Sequence, residues 1–122
     1  VMAVLTALEG ERVTEVEDNI TVPEQFTCSQ NYPNPFNPVT NIEFSLAKNA
    51  TVRLTVYNIL GHKVLDIVNK PMTSGYYRVL WDGRNEAGEL VATGVYLYRM
   101  IIFDDSSGEI HLEKTEKMLL IK

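Results

Sequence analysis

Through the middle of the chain, apolar and polar residues alternate one for one, and few folds accept that pattern. In residues 39–46, Ile42, Phe44 and Leu46 alternate with Asn41, Glu43 and Ser45; in residues 51–59, Val52, Leu54 and Val56 alternate with Arg53, Thr55 and Tyr57. Successive side chains of a strand point to opposite faces, so the pattern predicts half-buried strands, with one face on a core and the other in water. Runs at 62–68, 76–81, 95–103, 109–113 and 117–121 bring the predicted strands to seven. The breaks between them carry turn chemistry: 58–61 (NILG), 73–75 (TSG), Asp82-Gly83, Ala87-Gly88 and 104–108 (DDSSG). Nowhere does a helical stripe persist.

Connections this short favour antiparallel neighbours, because a parallel pair needs a crossover of about a dozen residues or more. The expected architecture is all-β: an antiparallel immunoglobulin-like β-sandwich of about seven strands. At 122 residues the chain is long enough to bury a core without disulfides or a metal. Its one cysteine, Cys28, excludes an intrachain disulfide. The chain carries a net charge of −5, of which residues 1–22 hold −4 (Glu9, Glu11, Glu15, Glu17 and Asp18 against Arg12), leaving −1 for the rest. A near-neutral body without clustered Lys and Arg gives no footprint for nucleic acid or anionic lipid. Residues 1–25 read as an acidic linker or the remnant of an upstream domain, with room for one or two short strands; residues 26–122 read as the sandwich. The apolar stretch 1–8 (VMAVLTAL) lacks a basic leader region and falls far short of the roughly 20 residues of a spanning helix, so no transmembrane segment is expected.

Residues 32–38 read YPNPFNP and hold three of the chain's five prolines. Each proline fixes its own φ and turns the residue before it away from the α region, so this segment enters the first strand as a stiff rail. Tyr32 and Phe36 can then pack on the sandwich edge, with the amides of Asn34 and Asn37 capping turns; composition alone favours a rigid linker without partners. Residues 81–89 (WDGRNEAGE) place four oxygen-bearing side chains around two glycines, which invites calcium, yet the spacing is that of successive turns. Residues 104–108 read as a solvated hairpin loop. His62 and His111 each stand alone, there is no G-x-S-x-G elbow or phosphate loop, and nothing around Cys28 marks a nucleophile. No catalytic residue, cofactor or metal ligand is expected. Tyr76, Tyr77, Trp81, Tyr96, Tyr98 and Phe103 fit core and sheet packing better than a sugar platform.

Four ordered blocks, YPNPFNPVTNIEFSL, VRLTVYNILGHKV, SGYYRVLWDGRNEAGELVATGVYLYRM and EKMLLIK, together resemble the type A carboxy-terminal sorting domain of proteins exported by the type IX secretion system. The resemblance covers roughly residues 26–122. It implies a non-catalytic module at the end of an exported cargo, read by the outer-membrane secretion machinery, with an upstream cargo domain and, after processing, surface lipopolysaccharide as partners, and a location at the cell surface or outside the cell. On the matching positions, Tyr32, Pro33, Asn34, Pro35, Phe36, Asn37 and Pro38 form the leading motif; Gly61, Trp81, Asp82, Gly83, Gly94 and Tyr96 form the framework; and Lys117, Met118, Leu119 and Leu120 form the terminal strand, which a machine can match against a sheet edge. Cys28 stands where an aliphatic residue is more usual and places a reactive thiol near the start of the body. The blocks are similar, more loosely, to the immunoglobulin-like module of flagellar hook-capping proteins, which implies an assembly role instead. A third class is an extracellular filament subunit that donates residues 1–8 as a strand to its neighbour.

Overall fold

The structure, a computed structural model, describes the backbone of residues 13–15 and all of residues 22–121. The stretch 1–8, considered above as a donated strand, lies outside the described residues. Among the described residues there are eight strands: β1 (Val13–Glu15), β2 (Thr27–Cys28), β3 (Thr40–Leu46), β4 (Ala50–Asn58), β5 (Lys63–Met72), β6 (Gly75–Trp81), β7 (Gly94–Phe103) and β8 (Ile110–Leu120). They form two four-stranded sheets, ordered β1-β6-β3-β2 and β5-β4-β7-β8, and every strand pair is antiparallel. The chain is an all-β, immunoglobulin-like sandwich.

Between the sheets lies the core the alternation specified. Ile42, Phe44 and Leu46 of β3 and Val79 and Trp81 of β6 meet Val52, Leu54 and Val56 of β4, Tyr98, Met100 and Ile102 of β7, and Met118 and Leu120 of β8, all buried. Fully burying an apolar side chain of this size stabilises by about 1.5–3 kcal/mol.

Three expectations change. The outer face of β4 is only partly wet: Arg53 is exposed, but Thr51 and Thr55 are buried, because β4 is flanked on both sides by β5 and β7 and Thr55 Oγ1 donates to Asp66 Oδ1 at 2.6 Å. β5 runs on to Met72 through Pro71, which an edge strand tolerates because its outer N–H groups need no partner. Finally, the predicted strands 109–113 and 117–121 are one continuous strand. Glu113 to Lys117 lack an apolar rhythm, yet they stay in register with β7, Leu97 opposite Lys117 and Ile101 opposite Glu113; backbone pairing, not side-chain burial, carries the strand across.

Candidate recognition surface

The sandwich brings the proline segment and the last strand together. Its residues 32–38 form a strap along the outer edge of β8. Phe36 donates its N–H to the Leu119 carbonyl and accepts from the Ile121 N–H, both at 2.9 Å, a parallel bridge in an otherwise antiparallel sheet. Asn34 extends the contact with its side chain: Oδ1 accepts the Leu119 N–H at 3.0 Å and Nδ2 donates to the Lys117 carbonyl at 3.4 Å, so the amide stands in for a peptide group. Gln30 Nε2 also donates to the Lys117 carbonyl, at 3.2 Å. All three X–Pro bonds of the strap, Tyr32-Pro33, Asn34-Pro35 and Asn37-Pro38, are cis.

Phe36 anchors the strap. Its ring is 1% exposed and packs 5.5 Å from Trp81, which in turn meets Tyr96 edge-on at 5.4 Å. Tilted and T-shaped aromatic pairs add about 0.5–1.5 kcal/mol each to the burial itself. Trp81 Nε1 donates to the Arg84 carbonyl at 2.9 Å, and Tyr96 Oη to the Ala92 carbonyl at 2.6 Å, so both rings are fixed by their polar ends. Gly83, at φ +76°, turns the chain just beyond Trp81 and lies against the Pro38 carbonyl and the Leu120 side chain. An L side chain is strained at that φ. The framework residues Trp81, Gly83 and Tyr96 thus form the seat of the strap, while Gly61 closes the β4–β5 turn, where its N–H donates to the Asn58 carbonyl at 2.9 Å, and Gly94 opens β7. Asp82 Oδ2 lies 3.7 Å from Arg84 Nε.

The expected roles of the strap residues need correcting. Asn34 does not cap its own turn, because its amide is spent on β8. Tyr32 does not pack: its backbone bridges Asn41, but its side chain is 78% exposed. A linker without partners is also overturned, since the strap is bonded to both β3 and β8. Beside Tyr32 on the outside lie Pro33, Asn34, Pro35, Asn37 and Pro38, all exposed, and from β8 come Lys117 and Leu119, with Ile121 just beyond it; Met118 and Leu120 point into the core. Because the strap already fills the edge at Lys117, Leu119 and Ile121, a partner meeting the folded module here reads side chains rather than adding a strand.

Other contributors had no signal in the sequence. Buried Asn31 donates Nδ2 to Thr40 Oγ1 at 3.0 Å, and Thr40 Oγ1 donates to the Pro33 carbonyl at 2.8 Å, a buried polar relay that sets the direction of the strap. Tyr98 Oη donates to the Ser29 carbonyl at 2.8 Å, and Lys114 Nζ to the Cys28 carbonyl at 2.6 Å, tying the segment before the strap across to the second sheet. Burial, with Cys28 and Glu116 nearby, holds the Tyr98 phenol above its usual range, so it remains a donor. Cys28 is not the reactive thiol expected: it is 8% exposed, and burial pushes its pKa up to about 11 against the pull of Lys114, with Glu116 adding to the rise. Thiol chemistry needs the thiolate.

In residues 82–91 the oxygen-bearing side chains serve the turns. Asn85 Oδ1 accepts the N–H groups of Ala87 and Glu89, both at 3.0 Å, and Glu86 Oε1 accepts the Asp66 N–H at 2.9 Å. Among the described residues, no three His, Cys, Asp or Glu side chains converge as metal ligands, and no helix is long and apolar enough to cross a membrane.

The FlgD Ig-like domain family matches residues 34–102, from within the strap to the end of β7. Among solved structures, part of dimeric latent PorU from Porphyromonas gingivalis is similar, with a TM-score of 0.62 and 18% identity over 85% of this chain and 10% of that one. Part of PorZ, a surface component of the type-IX secretion system of the same organism, aligns with a TM-score of 0.44 and 22% identity over 80% of this chain and 11% of that one. The chain therefore spans about a tenth of the length of these proteins, and at 18% identity the likeness to PorU is one of fold. No curated protein matches the chain.

Proposed function

The chain belongs to the FlgD Ig-like domain family, and from that premise we propose that it is a non-catalytic module that directs an exported cargo through the type IX secretion machinery to the cell surface. The observation that carries this reading is the joining of the strap to β8: the two blocks at opposite ends of the sorting-domain resemblance, 32–38 and 117–120, form one continuous surface. Recognition on this reading belongs to the composite face, Tyr32 and Asn34 from the strap with Lys117 and Leu119 from β8, and Trp81, Gly83 and Tyr96 hold that face in shape. Residues 26–122 are the sorting domain, and the acidic segment before it joins it to the cargo. The cargo supplies the biological activity, and surface lipopolysaccharide is its attachment point after processing.

Fusing residues 22–122 behind a signal peptide and a folded reporter, in a bacterium that has the type IX machinery, tests the reading. Reporter at the surface or in the medium supports it; reporter retained in the periplasm, with the module folded, rejects it. Removing residues 117–122 is the weaker experiment, because it takes buried Met118 and Leu120 out of the core along with the surface. A second reading, an assembly module of the hook-capping kind, is favoured by the family match itself. An upstream hook-assembly segment in the gene supports that role; an upstream hydrolase or adhesin supports sorting.

A further inference from the structure

Large apolar side chains that the fold leaves exposed gather at one end of the sandwich. β4 ends there at Asn58 and β5 starts at Lys63; β6 ends there at Trp81, β7 starts at Gly94 and β8 ends at Leu120. The connections at this end carry Ile59, Leu60 and Leu90, which are 72%, 76% and 54% exposed. Those at the other end, 47–49 (AKN), 73–74 (TS) and 104–109 (DDSSGE), hold no large apolar residue, although Ile110, which opens β8 there, is exposed.

Ile59 and Leu60 are the two central residues of the β4–β5 turn, places usually held by Pro, Asp, Asn, Ser or Gly. The turn is held without their side chains. The Asn58 carbonyl accepts the Gly61 N–H and the Asn58 N–H donates to the His62 carbonyl, both at 2.9 Å. Asn58 Oδ1 closes the loop from within, accepting the N–H groups of Leu60 at 2.9 Å and His62 at 3.0 Å. Neither Ile59 nor Leu60 belongs to the core cluster. Two aliphatic groups are thus held out to solvent on a preformed turn, where folding gains nothing from them; association gains their burial, with little ordering left to oppose it.

Beside the turn lies an open groove of about 470 Å³ between β5 and the 82–91 loop, lined in part by Val64, Val91 and Tyr96. Around it four acids, Asp66, Asp82, Glu86 and Glu89, stand against two bases, Lys63 and Arg84, a net −2 with His62 counted as neutral. Both bases are already paired, Lys63 with Asp66 at 2.8 Å and Arg84 with Asp82 at 3.7 Å. An acidic rim repels an anionic lipid surface and, across a two-fold axis, its own copy. A basic protein surface complements it.

We propose that Ile59 and Leu60 form a docking knob for a folded protein that offers an apolar pocket edged by Lys or Arg side chains. The inference rests on the sorting reading, under which that protein belongs to the secretion machinery. It adds to the face of Tyr32 and Leu119 a second contact at the same end of the sandwich.

Reporter fusions to the whole chain test it, comparing the unaltered chain with the pair Ile59→Ser and Leu60→Ser and with the conservative pair Ile59→Leu and Leu60→Ile. Both side chains are exposed, so the serine pair should keep the melting temperature. It should lower the reporter reaching the surface by about tenfold or more, while the conservative pair is exported normally. Glu89→Lys, at an exposed rim position, should lower export severalfold, and export indifferent to it overturns the basic partner. Equal export of the serine pair and the unaltered fusion overturns the proposal and leaves the sorting reading standing; a folded, unaltered fusion that stays in the periplasm rejects both. The purified chain is expected neither to bind vesicles of phosphatidylethanolamine and phosphatidylglycerol nor to form a dimer through the knob. Vesicle binding, or a dimer in sedimentation velocity, that the serine pair abolishes would give the knob to lipid or to a second copy and overturn the proposal.

Discussion

Replacing Phe36 with Ala tests whether the strap belongs to the folded body. The ring is 1% exposed and rests on Trp81 at 5.5 Å. Truncating a buried Phe to Ala costs about 3–5 kcal/mol, through lost transfer energy and the cavity left behind. The lower part of that range applies here, because the strap lies at the rim of the sandwich and can partly collapse into the space. The expected loss is about 3 kcal/mol, and at roughly 4–8 °C per kcal/mol for a domain of this size the melting temperature should fall by about 12–24 °C. Urea unfolding followed by fluorescence is well suited, since Trp81 is the chain's one tryptophan and its ring reports on Phe36 directly. The midpoint should drop with the slope unchanged. Tyr32→Ala, at the exposed end of the same strap, is the control and should change stability by less than about 0.5 kcal/mol. A Phe36→Ala cost under about 1 kcal/mol would refute the reasoning, because the strap would then be an appendage rather than part of the core.

Three further outcomes follow from the same contacts. Asn34→Ala removes two side-chain bonds to β8 and should cost about 0.5–1.5 kcal/mol, while amide hydrogen exchange at Leu119, whose N–H loses its acceptor, accelerates. Tyr98→Phe deletes the bond to the Ser29 carbonyl and should cost about 1 kcal/mol, read by the same urea titration. Cys28, with its pKa raised to about 11 by burial, is fully protonated at pH 8; iodoacetamide should label it slowly in the native protein and quickly in urea, and equal rates in both would contradict its burial.

How much of this was legible in the sequence differs from strand to strand. Where a strand lies with one face on the core, as β3 does, alternation alone locates it and names its buried residues. β4 follows the same rhythm, but its central place in the sheet buries Thr51 and Thr55 as well, which no local pattern encodes. The sequence pattern splits β8 in two because an edge strand can be held by its ladder while its middle residues stay charged and half exposed. The two-residue β2 is too short for any period to show. At the recognition surface, the members were readable from the family blocks, but their union was not. Asn34 and Leu119 are 85 residues apart, and an exposed Asn among prolines looks the same whether it caps its own turn or a distant strand. Asn31, Tyr98 and Lys114 act through single long-range bonds that leave no periodic trace.

The most direct test of the central claim separates surface from fold. Tyr32→Ser combined with Leu119→Ser changes two exposed apolar side chains, one on the strap and one on β8, and leaves the Phe36 anchor and the backbone bridge in place. With this pair introduced into the full-length protein in a bacterium carrying the type IX machinery, the account predicts an unchanged melting temperature for the module and cargo held back in the periplasm. Cargo reaching the surface at the unaltered protein's level, with the module equally stable, would contradict it.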